Sequence, residues 1–355
     1  MAHTTVAVIL AAGAGTRMRS SRPKPLEPLC GRPMTAYVLE AVVIPEVSAT
    51  IVVVGHQAAW VEKELSAEAS ARRALHFVRQ DEQLGTGHAV ATAMPALREL
   101  LGEDEGDVLI LPGDVPRLAP ATLRGLLAAH ASAGAALSLL TTTPPDPTGY
   151  GRVQRDRAGQ PARIVEEADA TPTQRALTEV NTGIMVVRTS LLGPGLRRVD
   201  RQNAQGEYYL TDLVGVLHDA GHPTAAVCTP DADEVAGVND RAQLAAAEAA
   251  LRARIVARWL RQGVNIWDPA TTHIDAAVVI EPGASVLPGT VLRGRTRLGA
   301  GAQVGPHASL RDVVVGAGAR VGAIEALNVR IEPGARVASY QILAPGTTVR
   351  ADDAR

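Results

Sequence analysis

Of the 35 lysines and arginines in this chain only two, Lys24 and Lys63, are lysines, and Lys24 stands between two prolines just beyond the run LAAGAGTRM, Leu10 to Met18. A loop so poor in side chains lets backbone N–H groups come close to a phosphate chain. Arg17 and Lys24 can then neutralise that chain, one as a planar fork and the other as a compact ammonium. Lys63 is accounted for as a surface residue, whereas position 24 selects an ammonium in a chain that otherwise uses guanidinium. The chemistry expected is the binding of a polyphosphate. The competing reading is a tight strand-to-helix turn whose glycines serve only packing, and the composition of the loop alone does not separate the two.

Two further oxygen donors stand where elements end. Asp114 lies in LPGDVP, just after the apolar run Val108–Leu111, and Asn239 opens the segment NDRAQLAAAEAA. For local structure alone, Asp114 reads as a turn residue and Asn239 as a helix N-cap, whose side-chain oxygen accepts an N–H of the first turn. An N-cap needs only one oxygen, so Asn239 can serve a second purpose.

The elements that must position these groups follow from periodicity. Up to about Thr229, short apolar runs alternate with amphipathic segments. Val6–Leu10, Ile51–Val54, Val108–Leu111, Leu137–Leu140 and Ile184–Val187 read as strands; Met34–Val43, Ala58–Leu65, His88–Leu97 and Pro120–Ala131 read as helices. That alternation predicts an α/β domain with a mostly parallel sheet. In such sheets ligands bind beyond the carboxyl ends of strands, which is where Gly13–Arg17 and Gly113-Asp114 fall. From Asn239 and Asp240 a long helix is predicted, with Leu244, Leu251, Ile255 and Trp259 on one face and Gly263 at its end.

Beyond about Ile274 the texture changes. Val286, Leu292, Leu298, Val304 and Leu310 recur every six residues amid Gly, Ala and Pro, and Val321 and Leu327 resume the step after an irregularity. A hexapeptide period predicts a parallel β-helix of about four coils, one aliphatic side chain per short strand pointing inward.

Composition excludes several partners. With 35 basic and 37 acidic residues the net charge is −2, so no basic field addresses nucleic acid or an anionic membrane. No apolar run approaches the ~20 residues of a membrane span, and the N-terminus lacks the basic start of a signal peptide. Cys30 and Cys228, the only cysteines, are too far apart in sequence to suggest a disulfide framework or a cysteine metal cluster. A cytoplasmic protein is expected, with no nucleic-acid or membrane partner.

LAAGAGTRM, the lysine of RPKPLEPL, QLGTGHAV, LPGDVP, GYGRV, VEEADAT, EVNTGI, NAQGEYYLTD and GVNDR occur in this order. With them the chain resembles the bacterial N-acetylglucosamine-1-phosphate uridyltransferases, the pyrophosphorylase half of the bifunctional GlmU-type enzymes. The opening motif indicates only the broad sugar-nucleotidyltransferase group; QLGTGHA with EVNTG and NAQGEYYLTD points to the uridylyl and N-acetylhexosamine branch. The resemblance implies a Rossmann-like nucleotidyltransferase domain over residues 1–238, a linker helix over 239–263 and a short left-handed β-helix over 264–355, assembled as a homotrimer.

The implied reaction joins UTP and N-acetylglucosamine 1-phosphate, with pyrophosphate leaving and no protein nucleophile. Arg17 and Lys24 would be the catalytic cations on the triphosphate, and Leu10, Ala11, Ala12 and Gly13 would hold the nucleotide together with Gln80, Gly85 and Thr86. A glutamine amide offers a donor and an acceptor to a pyrimidine edge. Gly151, Glu166, Asn181 and Thr182 would line the sugar pocket, and Asp114 and Asn239 would hold Mg²⁺. Two departures stand out. Pro112 replaces the family's usual hydroxyl-bearing residue before Gly113-Asp114, and His273 and His307 do not sit in the family's acetyltransferase motif, nor does the expected continuation follow VGPHASLR. Acetyltransferase activity is therefore expected to be absent. The alternatives are transfer to another sugar 1-phosphate, or a non-catalytic nucleotide-binding regulatory or scaffold protein.

Overall fold

A computed structural model describes residues 4–68, 75–102 and 106–352. The chain forms two compact units, Met1–Glu27 with Pro33–Gln243 and Pro28–Arg32 with Leu244–Arg355. The first is a Rossmann-like α/β unit. Its central sheet runs in the order Thr224–Thr229, Leu137–Thr142, Val180–Arg188, Gly106–Pro112, Thr4–Ala11, Val47–Val54 and Leu75–Arg79. These strands are β-branched and apolar because both faces are covered. Side-chain alternation splits the core in two. Ala7, Ile9, Val52, Val54, Leu109 and Leu111 pack on one face with helices Met34–Ala41, Ala58–Glu68 and Pro120–Ala133. Val6, Val8, Ile51, Val53, Val108 and Ile110 pack on the other with helices Thr86–Leu101, Thr189–Leu196 and Asp212–Asp219.

The sheet is mostly parallel, as the alternation predicts, with one exception that matters for the site. Val180–Arg188 runs antiparallel to both of its neighbours. Its amino end, with Asn181, therefore comes to the same edge as the carboxyl ends of Gly106–Pro112 and Thr4–Ala11. The sequence reading omits Leu75–Arg79, Thr224–Thr229 and the hairpin Arg152–Arg155 with Pro161–Val165. LHFVR, RVQR and PARIV carry at most two consecutive apolar residues, and TAAVCT has a single β-branched apolar residue among alanines and threonines, so none stands out.

Pro112 does not disturb its strand. In the parallel ladder Gly113 N donates to Leu10 O at 2.9 Å, so position 112 faces the other neighbour. There the regular pairing has already stopped at Met185 against Ile110. The N–H that proline lacks costs no ladder bond.

The second unit is a left-handed parallel β-helix of three sheets, each with five strands, so it has five coils rather than the expected four. Ile266, Val286, Val304, Val321 and Val337 stack in register down one sheet. The second column is Ile274, Leu292, Leu310, Ala326 and Leu343. The strict hexad fails after Leu310, and one inward position shifts with it. Ala326 is 3% exposed and Leu327 45%, so Ala326 points inward where the six-residue step assigned Leu327.

Candidate functional site

A cavity of about 500 Å³ opens at the carboxyl edge of the first unit's sheet. Leu10, Ala11, Ala12, Gly13, Lys24, Gln80, Gly85, Thr86, Asp114, Glu166 and Asn181 line it. Arg17, Gly151, Thr182 and Asn239, also expected at the site, do not line it; Asn239 bonds to Lys24 and Arg17 to Asn239, Gly151 to Asn181, and Thr182 to the strand Leu137–Thr142.

At one end the cations and oxygens meet. Lys24 Nζ is ion-paired with Asp114 Oδ2 and donates to Asn239 Oδ1 at 2.9 Å. Arg17 Nη2 donates to the same Asn239 oxygen at 3.0 Å. Local backbone chemistry makes this meeting possible. Gly15 has φ +62°, and a Cβ there would lie 2.5 Å from Lys24 Cβ, so only glycine leaves room for the lysine stem. Val238 N donates to Asp114 O at 2.9 Å and pins the segment before Asn239 to the strand end.

Asn239 is not the helix cap. Asp240 Oδ1 accepts the Gln243 N–H at 2.8 Å ahead of helix Arg241–Arg261, while Gln243 Oε1 accepts the Asn239 N–H at 2.7 Å. Capping falls to Asp240, and the Asn239 carboxamide oxygen is left to the cations.

Asp114 and Asn239 offer two hard oxygens that converge on one ammonium, so a small cation fits at this point by both position and donor type. Among the described residues no cluster of three or more His, Cys, Asp or Glu side chains could hold a metal. An ion here would rest on these two oxygens and complete its shell from water and phosphate, as Mg²⁺ commonly does.

The middle of the cavity is walled by Gln80–Thr86. Gln80 is 4% exposed; its Nε2 donates to Gly85 O at 3.1 Å and lies 3.0 Å from His88 Nδ1. This loop is stitched to the NAQGEYYLTD segment. Gly87 N donates to Tyr208 O, and Tyr208 N to Leu84 O, both at 2.8 Å, while Thr86 Oγ1 accepts the Leu210 N–H at 3.0 Å. Gly85, at φ +109°, leaves no room for a Cβ, which would sit 2.6 Å from Tyr208 O.

At the far end Glu166 Oε1 accepts a hydrogen bond from Thr211 Oγ1 at 2.9 Å. Burial raises the Glu166 carboxyl above its ordinary range; the Thr211 bond opposes this and Asp169 adds to it. Glu167 turns the other way, 2.8 Å from Nη2 of the buried Arg152, which leaves Glu166 to face the cavity. Asn181 N donates to Gly151 O at 2.8 Å, and a Cβ on Gly151 would lie 3.3 Å from Glu166 Oε2. Thr182 is committed elsewhere: its Oγ1 donates to Leu140 O at 2.7 Å, inside the sheet.

Gln83, Glu207, Leu210 and Thr211 also line the cavity and were not expected there. QLGTGHAV and NAQGEYYLTD carry them, but their roles depend on where a distant segment docks.

Residues 7–188 match the MobA-like NTP transferase domain family. The chain is 42% identical to the bifunctional protein GlmU of Brevibacillus brevis over 343 residues, 97% of this chain and 72% of that protein. It is 44% identical to the bifunctional protein GlmU of Streptomyces avermitilis over 97% of this chain and 70% of that one. Against the bifunctional protein GlmU of Thermobifida fusca the identity is 46%, over 92% of this chain and 67% of the relative.

Proposed function

Because this chain belongs to the GlmU family, with a nucleotidyltransferase domain at its start, we propose that it makes UDP-N-acetylglucosamine and pyrophosphate from UTP and N-acetylglucosamine 1-phosphate. The observation that carries this reading is the convergence of Lys24, Arg17, Asp114 and Asn239 at one end of a cavity whose other end holds Glu166 and Asn181.

Both reactants are polyanions, so the protein's work is positioning and charge neutralisation. Backbone N–H groups of the loop after Leu10 cradle the triphosphate, and Arg17 and Lys24 neutralise it. Gln80 and the Gly85-Thr86 backbone face the base, while Glu166, Asn181 and the close approach allowed by Gly151 orient the sugar. A sugar-phosphate oxygen forms a bond to the α-phosphorus as the bond to the bridging β-phosphate oxygen breaks, and pyrophosphate leaves with that electron pair. Asp114 and Asn239 would hold Mg²⁺, which when bound supplies further neutralisation at the phosphate oxygens.

The β-helix is read as a trimerisation unit. Tyr340, Ile342 and Leu327 present exposed apolar side chains on it, 95%, 81% and 45% exposed. The reaction is read as cytoplasmic; among the described residues no helix is long and apolar enough to cross a membrane. The histidines of the β-helix are read as structural. The Arg252 guanidinium approaches both ring nitrogens of His273, at 2.8 and 3.0 Å, and acetyl-CoA with glucosamine 1-phosphate should yield no acetylated product.

Asp114→Asn and Asn239→Ala test the assignment. Each should abolish pyrophosphate release while leaving the circular dichroism spectrum and melting temperature close to wild type. Wild-type turnover with unchanged Mg²⁺ dependence in either variant would refute it.

A further inference from the structure

Lys24 occupies the point where the two oxygens meet. Its ammonium pairs with Asp114 and lies 2.9 Å from Asn239 Oδ1. A divalent ion on the same two oxygens would face that ammonium at a few ångströms, where like charges in a partly buried site repel strongly. The two cannot share the site.

We propose that Lys24 is the resident counter-ion of the cation site, holding Asp114 and Asn239 in place in the metal-free enzyme and leaving only when a triphosphate is present to receive it. The proposal rests on the reading of Asp114 and Asn239 as metal ligands. A metal entering alone strands the ammonium without an anionic partner. A metal entering with nucleotide trades one ion pair for another, because the lysine stem passes over Gly15 inside the loop that borders the triphosphate. Metal and nucleotide binding are thereby coupled, and by linkage the coupling is equal in both directions.

This accounts for the choice of lysine in a chain with only two. A guanidinium would grip Asp114 through a planar fork and pair with Asn239 as well, as Arg17 does. An ammonium on a flexible four-carbon stem is a point charge that can move away.

The test measures Mn²⁺ affinity by the electron paramagnetic resonance signal of the free ion, in wild type, Lys24→Met and Asp114→Asn, with and without UTP. Lys24→Met should tighten Mn²⁺ binding without nucleotide by about tenfold, inside the ~5–150-fold range of ordinary site coupling. It should also shrink the enhancement that UTP confers on Mn²⁺ binding. Unchanged or weaker Mn²⁺ binding in Lys24→Met, with Asp114→Asn abolishing it in the presence of UTP, would overturn the counter-ion role alone. If Asp114→Asn leaves Mn²⁺ affinity intact with UTP bound, the metal-site reading fails first.

An independent readout protects against a destabilised variant. In wild type labelled with ¹³C-lysine, Lys24 and Lys63 give the only lysine side-chain signals. Mg²⁺ with UTP should shift the Lys24 Cε resonance and leave Lys63 in place. A Lys24 resonance that is insensitive to both ligands together would overturn the exchange.

Discussion

Two glycines of the cavity wall should fail in opposite ways when replaced by alanine. Gly85 sits at φ +109°, and a Cβ there would lie 2.6 Å from Tyr208 O and 2.9 Å from both Tyr208 N and Glu207 Cβ. The obstructing atoms are mostly backbone, so they cannot swing aside. Gly85→Ala must either hold a strained conformation, at about 1–3 kcal/mol, or break the paired bonds between Gly87 and Tyr208 and between Tyr208 and Leu84, at about 0.5–1.5 kcal/mol each. Either route costs roughly 1–3 kcal/mol. At about 2–4 °C per kcal/mol for a domain of this size, the melting temperature should fall by roughly 5 °C. Gly13 differs: nothing lies within 4 Å of a Cβ built there, and its φ is not positive. Gly13→Ala should leave the melting temperature unchanged or slightly raised. If the loop cradles phosphate, however, the methyl group displaces the triphosphate and kcat/KM for UTP should drop about 10²-fold. Differential scanning fluorimetry and initial-rate kinetics on the two variants read both effects. A Gly13→Ala enzyme with wild-type kcat/KM would refute close backbone approach at the cradle, and a Gly85→Ala protein with wild-type stability would refute the weld to Tyr208.

Asp212 beside the sugar end is pushed up to about 6, chiefly by burial and then by the carboxylates of Asp200, Glu166 and Asp169, with Arg163 opposing. The unfolded aspartate titrates near 4, so between about pH 4 and 6 the native state holds the extra proton, and stability falls as pH rises through that window. Since the group is only half-buried, Asp212→Asn should stabilise by roughly 1 kcal/mol at pH 7.5 and by almost nothing at pH 4; equal gains at both pH values would contradict this, and urea melts distinguish the two. For the β-helix, sedimentation equilibrium at micromolar concentration should give a trimer, and a monomer would exclude it.

The features that could be read in advance are those written in consecutive residues. Val6–Leu10 and Val108–Leu111 carry their strand character in β-branched runs, and the hexad Val286–Leu310 announces a coil by its period. Lys24 is conspicuous because the chain otherwise avoids lysine. What escaped reading depends on docking between distant segments. Thr211 reaches Glu166 across 45 positions, and Leu210 reaches Thr86 across 124. Likewise Asp240 rather than Asn239 caps the helix, while the Asn239 oxygen meets Lys24, 215 positions away, a contact no local pattern announces. Five-residue steps after Leu310 moved Leu327 outward, a slip that a fixed period cannot anticipate.

The central claim is uridylyl transfer to an N-acetylhexosamine 1-phosphate, and a competition assay tests it most directly. The enzyme is given UTP, dTTP, CTP, ATP and GTP together with the 1-phosphates of N-acetylglucosamine, glucose, galactose and mannose, with Mg²⁺ and pyrophosphatase, and the products are identified by mass spectrometry. UDP-N-acetylglucosamine should dominate the early products. If UDP-glucose or a deoxythymidine sugar forms as fast, the assignment of Gln80–Thr86 to uracil and of Gly151, Glu166 and Asn181 to the N-acetyl sugar is wrong.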